Sequence, residues 1–306
     1  MDTKKLFEFI QNEDIGEARP DELLERYTTW RIGGPADIFC EPSDWKKCQR
    51  LLQTAQLYDI PVTFLGAGSN VLVADEGIRG LVIHTKGLKN ISWKGRIVTA
   101  GSGVSLTNLS QAAYRRGLAG MEFASGIPGT LGGAVIMNAG AYGFFLDSII
   151  VNVKTLTKAG ESKNYNKEQL DFGYRTSALK SINELVVQAS LNLHEGIPED
   201  IRSLMDQYQK ERREKQPLQL PNAGSVFRNP PGYSAGRLVE AVGAKGWRIG
   251  DAEVSTQHAN FIVNQGKAKA SDVINLIKEV QKAVGEKFLV QLETEIVILG
   301  FNNNGR

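Results

Sequence analysis

Cysteine is nearly missing from this chain of 306 residues: Cys40 and Cys48 are the whole complement. Two thiols so close in sequence exclude a disulfide framework and a four-cysteine zinc site. Histidine is as sparse, and His84, His194 and His258 show no metal-ligand spacing, so no metal is expected. Charge of one sign is lacking too. The 36 basic side chains balance 34 acidic ones to leave +2, which argues against a protein that wraps nucleic acid. The longest charge-free stretch, residues 123–146, would reach across a bilayer, but it holds six glycines and Pro128 and makes a poor membrane helix. The N-terminus, MDTKKLFEFIQNED, is charged and reads as a short helix, not as the apolar core of a signal peptide. A soluble cytoplasmic protein is expected, with no membrane, nucleic-acid or obligate protein partner.

Against these absences, apolar residues at 42% and charged ones at 23% are ordinary for a globular protein. The length suits about two domains, or three small ones. Glycine is in excess, with 32 residues, seven of them between Gly120 and Gly143. Glycine gathers where backbone turns with positive φ or approaches a ligand closely, so the middle of the chain is where a cofactor is first sought.

Along the chain, two polar helical stretches are followed by a strand at residues 36–40 and a helix from an N-cap at Ser43 to Tyr58, with Cys48, Leu51, Leu52 and Ala55 on one face. Residues 61–65 and 71–74 read as strands around a glycine loop, giving a small α/β unit that ends near residue 85. Shorter strands then follow at 80–84, 91–93, 96–100, 149–156 and 184–193, with one helix at about 105–116, and the region to residue 200 reads as α+β. The last segment, 201–306, starts within an amphipathic helix from Pro198 and carries a helix at 235–242, a strand at 259–264, a helix capped by Ser271 and a final strand over 287–299.

Five motifs bear on chemistry. Gly66, Ala67, Gly68, Ser69 and Asn70 match neither the Rossmann nor the P-loop pattern. Alone, the loop reads first as a tight turn, with an anion nest of N–H and O–H donors as the alternative. The stretch 125–143 is different. Gly126, Gly129, Gly132, Gly133, Gly140 and Gly143 together are better explained by backbone pressed against a flat ring or a diphosphate than by turns. Its GTLGGAV segment reads also as the start of a short helix facing an anion. Arg175, flanked by Phe172, Gly173 and Tyr174, is either a solvated cation or a fixed fork for a carboxylate or enolate. Ser225 lies in a loop enclosed by Pro221 and Pro230, without the nucleophile elbow of a hydrolase. Glu293 and Glu295, on an expected strand, share one face, as an acid–base pair or as plain solvated side chains.

In order, these pieces resemble one family, the UDP-N-acetylenolpyruvoylglucosamine reductases, the MurB flavoenzymes of bacterial cell-wall precursor synthesis. The resemblance runs from about Tyr27 to Leu299. It rests on Thr29-Trp-Arg-Ile-Gly-Gly34, the loop at Gly66, Gly126-Ile-Pro-Gly-Thr-Leu-Gly-Gly133, Asn138-Ala-Gly-Ala-Tyr-Gly143, Tyr174-Arg-Thr-Ser177, Asn222-Ala-Gly-Ser-Val-Phe-Arg-Asn-Pro230 and Lys245-Gly-Trp-Arg-Ile-Gly250. It implies an α+β fold: a two-subdomain FAD-binding region of the vanillyl-alcohol-oxidase/PCMH type over residues 1–85 and 86–200, then a C-terminal α+β substrate domain. It also implies non-covalent FAD, NADPH as hydride donor and reduction of UDP-N-acetylglucosamine enolpyruvate to UDP-N-acetylmuramate.

The resemblance assigns the cofactor to Gly66 through Asn70 and to Ser125, Gly126, Ile127, Pro128, Gly129 and Thr130. Gly132, Gly133, Asn138, Ala139 and Gly143 complete that wall. Arg175, Ser225 and Glu295 fall at the family's catalytic positions. Hydride addition to an unsaturated carboxylate pushes negative charge onto that carboxylate, and Arg175 with Glu295 would stabilise it. Ser225 would protonate the carbon opposite the flavin, with Arg175, Arg228 and Lys245 as cations for the alkoxide left behind. Tyr174, Asn229 and Lys245 match substrate positions, with Arg228, Arg213 and His258 beside them. The chain passes almost directly from Ser177 to the strand at Leu185, leaving no room for the tyrosine-bearing loop of one family branch; it resembles the loop-lacking type II. Two rivals remain: an FAD-dependent sugar oxidase of the same fold, and a non-catalytic sugar-nucleotide-binding protein.

Overall fold

The computed structural model describes residues 3–301. The chain forms two compact units, and neither is a single run of sequence. The first holds residues up to 21, 37–67 and 80–211; the second holds 22–36, 68–79 and 212 onward. Boundaries were expected at residues 85 and 200, yet the chain changes unit at 22, 37, 68, 80 and 212. Val71–Val73 runs parallel to Val297–Leu299, which draws residues 68–79 into the C-terminal unit.

In the first unit a four-stranded sheet has the order Gly16–Leu23, Pro35–Pro42, Ile78–His84, Val62–Leu65. The second of the two expected N-terminal helices is thus a strand. Its sequence, GEARPDEL, is polar because it lies at the sheet edge, where charge and Pro20 are tolerated and deter further pairing. Helix Trp45–Leu57 buries Cys48, Leu51, Leu52 and Ala55 at helical spacing. Its N-cap is Asp44 and not Ser43: the carboxylate accepts from the Lys46 and Lys47 N–H groups at 2.8 and 3.0 Å. Leu6 and Ile10 of helix Thr3–Asn12 join the same core, where each fully buried side chain contributes roughly 1.5–3 kcal/mol.

The other sheet of this unit is antiparallel, in the order Ser162–Asn166, Ile150–Leu156, Leu185–Asn192, Ile97–Gly101, Ile91–Lys94. Leu185–Asn192 is its central strand and is buried on both faces, as its run of Leu, Val and Ala requires. Helix Leu106–Tyr114 starts from the N-cap Ser105, and helix Leu131–Met137 from the N-cap Thr130. The two caps form a bridge with each other.

In the second unit, helix Ala270–Phe288 lays Val273, Ile277, Val280 and Val284 against a core that includes Trp30, Phe227 and Ile262. The expected Ser271 cap is absent. Asp75, from far upstream, instead accepts the N–H groups of Ala270 and Ser271 at 2.7 and 3.0 Å. This helix runs on to Phe288, so the final strand shrinks to Val297–Leu299. Among the described residues, no helix is long and apolar enough to cross a membrane, and no cluster of three or more His, Cys, Asp or Glu side chains could hold a metal.

Candidate active site

In the first unit the glycine-rich stretch is a wall built against two neighbours. Residues 102–106 run alongside 129–132, with Leu106 N–H donating to the Gly129 carbonyl, Leu131 N–H to Val104 and Gly132 N–H to Ser102, all within 2.8–3.0 Å. A Cβ at Gly132 would stand 2.7 Å from the Ser102 Cβ, and one at Gly66 would stand 2.6 Å from the Thr130 hydroxyl. Glycine is favoured at both places because the Ser102 and Thr130 side chains already occupy the space a Cβ would take. The loop after strand Val62–Leu65 and the 125–143 stretch therefore abut, through Gly66 and Thr130. Ser102 and Ser125 are buried, and neither hydroxyl finds a hydrogen-bond partner among the described residues. Ser102 was not picked out from sequence; its signal is Gly101-Ser-Gly103 directly after a strand, a short copy of the Gly66 pattern.

Arg175 sits in the same unit on a tight turn, where Gly173 and Thr176 pair with each other through both N–H groups. Arg175 has φ +57°, a conformation ordinarily left to glycine, asparagine or aspartate. Three bonds knit this turn to the glycine-rich stretch. Arg175 Nη1 donates to the Gly140 carbonyl at 3.1 Å, Asn138 Nδ2 to the Gly173 carbonyl at 3.1 Å, and Ser177 Oγ to the Ile136 carbonyl at 2.8 Å. Asn138 Oδ1 also accepts from the Asp147 N–H at 3.0 Å, so both ends of its buried amide are engaged within the protein. Tyr174 is exposed, with its ring 5.7 Å from the Arg175 guanidinium carbon.

The second unit gathers the remainder. Asn222 shapes the Ser225 loop: its amide donates to the carbonyls of Pro217 and Leu220, and its Oδ1 accepts from Gly224 N–H at 3.0 Å. Thr29 Oγ1 holds the Asn222 carbonyl at 2.6 Å, and Gly224 turns with φ +75°. Behind Ser225, buried Asn260 clamps both sides of Phe227, accepting its N–H at 2.9 Å and donating to its carbonyl at 2.8 Å. Glu295 lies alongside, since its N–H meets the Val226 carbonyl and the Arg228 N–H meets that of Glu293. Residues 292–296 lie outside a regular strand, with a bridge between Phe227 and Thr294. Glu295 is half-buried, whereas Glu293 is exposed and lies 3.9 Å from Arg228. Asn70 closes the group by donating Nδ2 to the Glu295 carbonyl at 3.2 Å. Gly68 has φ +62°, and a Cβ there would lie 2.0 Å from the Tyr27 carbonyl.

The expected substrate residues are less closely grouped. Asn229 is exposed and its Oδ1 accepts from the Ala235 N–H, capping helix Ala235–Ala241. Lys245 pairs with Glu240 at 2.6 Å, and exposed Arg213 lies in the last turn of helix Pro198–Lys215. His258 packs edge-on against Phe261 at 4.8 Å, and burial lowers its pKa from the usual histidine value, with Lys245 adding to the lowering.

The FAD binding domain family matches residues 36–165, and the C-terminal domain family of UDP-N-acetylenolpyruvoylglucosamine reductase matches residues 216–299. The UDP-N-acetylenolpyruvoylglucosamine reductase of Moorella thermoacetica is 44% identical over 283 residues, covering 92% of each chain. The chain belongs to the UDP-N-acetylenolpyruvoylglucosamine reductase family. A second member, from Bacillus cereus, is 40% identical over 98% of this chain and 99% of its own. The crystal structure of the family member MurB from Thermus caldophilus superposes with a TM-score of 0.80 at 36% identity, covering 93% of this chain and 98% of that one. Phl p 4.0202, a glucose dehydrogenase, matches 65% of this chain and 45% of its own at 13% identity and a TM-score of 0.50, a likeness of fold alone.

An FAD group fits the residues expected to hold it. The Gly66 and Gly132 positions are already crowded by neighbouring atoms, so flat backbone, not side chains, is what they present. The lone buried hydroxyls of Ser102 and Ser125 suit the many donors and acceptors of a flavin nucleotide. No histidine or cysteine lies in residues 66–70 or 125–143 to form a covalent flavin link.

Proposed function

We propose that this chain reduces the enolpyruvyl double bond of UDP-N-acetylglucosamine enolpyruvate to give UDP-N-acetylmuramate, with the catalytic work divided among Arg175, Ser225 and Glu295. The observation that carries the assignment is the second unit's local geometry: the Ser225 loop and the run through Glu295 are hydrogen-bonded to each other, and both are braced from behind by Asn222, Asn260 and Asn70. FAD would be held by Gly66–Asn70 and by Ser125–Thr130, Gly132, Gly133, Ala139 and Gly143, with Ser102 added, and would supply a hydride taken from NADPH; the Asn138 amide, expected in the same wall, is spent instead on Gly173 and Asp147.

Arg175 binds the substrate carboxylate. Its guanidinium is already oriented by the Gly140 carbonyl, so this fixed fork meets negative charge as that charge grows. Ser225 Oγ hands its proton to the substrate carbon. A hydroxyl is a weak acid, and the cations Arg228 and Lys245 of the same unit are the groups suited to stabilise the alkoxide. Glu295, where its carboxyl carries a proton, would donate a hydrogen bond to the developing enediolate. Tyr174, Arg213, Asn229 and His258 complete the contacts to the sugar nucleotide. Loss of the inserted loop between Ser177 and Leu185, which here holds only the short helix Ala178–Ile182, supports the type II reading. A bacterial cytoplasmic location, where cell-wall precursors are assembled, goes with this function.

An anaerobic visible spectrum tests the reading. NADPH should bleach the yellow band, and the band should return only when the enolpyruvyl sugar nucleotide is added. Return with oxygen alone would instead favour a sugar oxidase.

A further inference from the structure

We propose that Asn138 is a positioning residue for Arg175, acting on the turn that carries the guanidinium and not on the cofactor. The proposal deepens the assignment of Arg175 above and rests on it. Asn138 follows helix Leu131–Met137 with φ +43°, and its backbone N–H caps that helix on the carbonyls of Ala134 and Val135. The cap alone does not call for asparagine, since glycine adopts this conformation at lower cost. What glycine cannot supply is the side chain. Asn138 Nδ2 donates to the Gly173 carbonyl at 3.1 Å, the same carbonyl that receives the Thr176 N–H at 3.3 Å across the turn. Its Oδ1 is fixed in turn by the Asp147 N–H at 3.0 Å, so the amide cannot flip without losing both bonds.

The turn needs such an anchor. Arg175 occupies the left-handed region without being glycine, a conformation that persists only when its surroundings over-determine it. Two bonds reach it from one short segment: Asn138 grips the turn at Gly173, and Gly140, two residues on, receives the guanidinium itself at 3.1 Å. A 3% exposed amide between these points sets the place of the arginine relative to its own unit. Displacement of a catalytic group by about 1 Å costs on the order of a hundredfold in rate.

The test separates the two half-reactions of the FAD-loaded protein by anaerobic stopped flow. Asn138→Gly keeps the helix cap and removes the side chain; Asn138→Asp keeps the Oδ1 acceptor and removes the donor to Gly173. Both variants should retain yellow flavin at the assay temperature, should be bleached by NADPH within about threefold of the parent rate, and should return the band with enolpyruvyl substrate about ten- to a hundredfold more slowly. On an Arg175→Ala background, Asn138→Gly should cost little more. Parallel slowing of both half-reactions, loss of flavin, or an unchanged second half-reaction would each overturn the proposal. If Arg175→Ala itself left the second half-reaction unchanged, the assignment of Arg175 would fall and this proposal with it; if only the Asn138 variants had no effect, the assignment would stand.

Discussion

The backbone N–H of Glu295 donates to the carbonyl of Val226 at 2.7 Å. Through that bond the glutamate is held beside the residue that follows Ser225, although the two lie far apart in sequence. Glu293, two residues earlier, accepts the Arg228 N–H on its carbonyl, while its exposed carboxylate stands 3.9 Å from the Arg228 guanidinium.

This difference predicts the outcome of one pair of substitutions. Glu295→Gln, which replaces the carboxyl O–H by a weaker amide donor, should lower kcat on the order of a hundredfold, the usual cost of impairing a transition-state hydrogen bond. Glu293→Gln should stay within a few-fold of the parent, since an exposed pair at 3.9 Å contributes little. Steady-state assays of both proteins decide it, and the reverse order would exchange the two roles.

A second prediction separates packing from ligand binding among the glycines. Gly132→Ala drives a methyl to 2.7 Å from the Ser102 Cβ and should destabilise the protein by about 1–3 kcal/mol in urea unfolding. Gly133→Ala meets nothing closer than the Thr130 hydroxyl at 3.7 Å, so the protein should fold normally. If residues 132 and 133 face the flavin, Gly133→Ala will nonetheless hold FAD more weakly in a fluorescence titration. Unchanged affinity would remove that residue from the cofactor wall.

The thiols should be inert. Cys40 is buried and its pKa is pushed up to about 12 by desolvation, with Glu41 adding to the rise; Cys48 is raised further still by its own burial. Only the thiolate reacts, so neither cysteine should be modified by an aromatic disulfide in the native protein, while both should react in guanidinium. Rapid native labelling would contradict the buried placement.

Stability should fall on the acid side. Burial lowers the pKa of His84 from its usual value, Lys86 adds to the lowering, and the Glu41 carboxylate 2.8 Å from Nδ1 offsets only part of it. Burial lowers His258 in the same direction. Each is therefore neutral in the folded chain where the unfolded chain binds a proton. Their contribution is complete above about pH 6.5 and is lost as pH falls through the folded values. Urea midpoints measured from pH 8 to 5 should decline less steeply for a His84→Gln, His258→Gln variant than for the parent. Equal slopes would show that other groups govern the acid limb.

Much of this could be read from the sequence where burial is written as periodicity. Cys48, Leu51, Leu52 and Ala55 announced their helix, and the apolar run at Leu185 announced a central strand. The reading failed where position in the fold, not composition, decides. Gly16–Leu23 looks helical because an edge strand needs no apolar face, and Ser271 looks like a cap because the carboxylate that accepts the helix N–H groups, Asp75, is 195 residues from Ala270. For the site, the glycines and Arg175 carried a local signal. Asn222 and Asn260 did not, since their work is to hold loops and shows only in who their amides meet. Glu184 is similar: a buried carboxylate in the first unit whose desolvation is outweighed by bonds from Lys163, Thr155 and Tyr165, leaving its pKa below the ordinary range.

The pairing of Val71–Val73 with Val297–Leu299 also dictates an order of events during synthesis. By the time residue 211 has left the ribosome, every segment of the first unit is available to fold. Residues 22–36 and 68–79 must meanwhile wait, with Trp30 and Leu72 lacking their core until the last helix and strand are made. The longest-range contacts are thus the last to form, and the second unit, which carries Ser225 and Glu295, assembles only after the chain is almost complete.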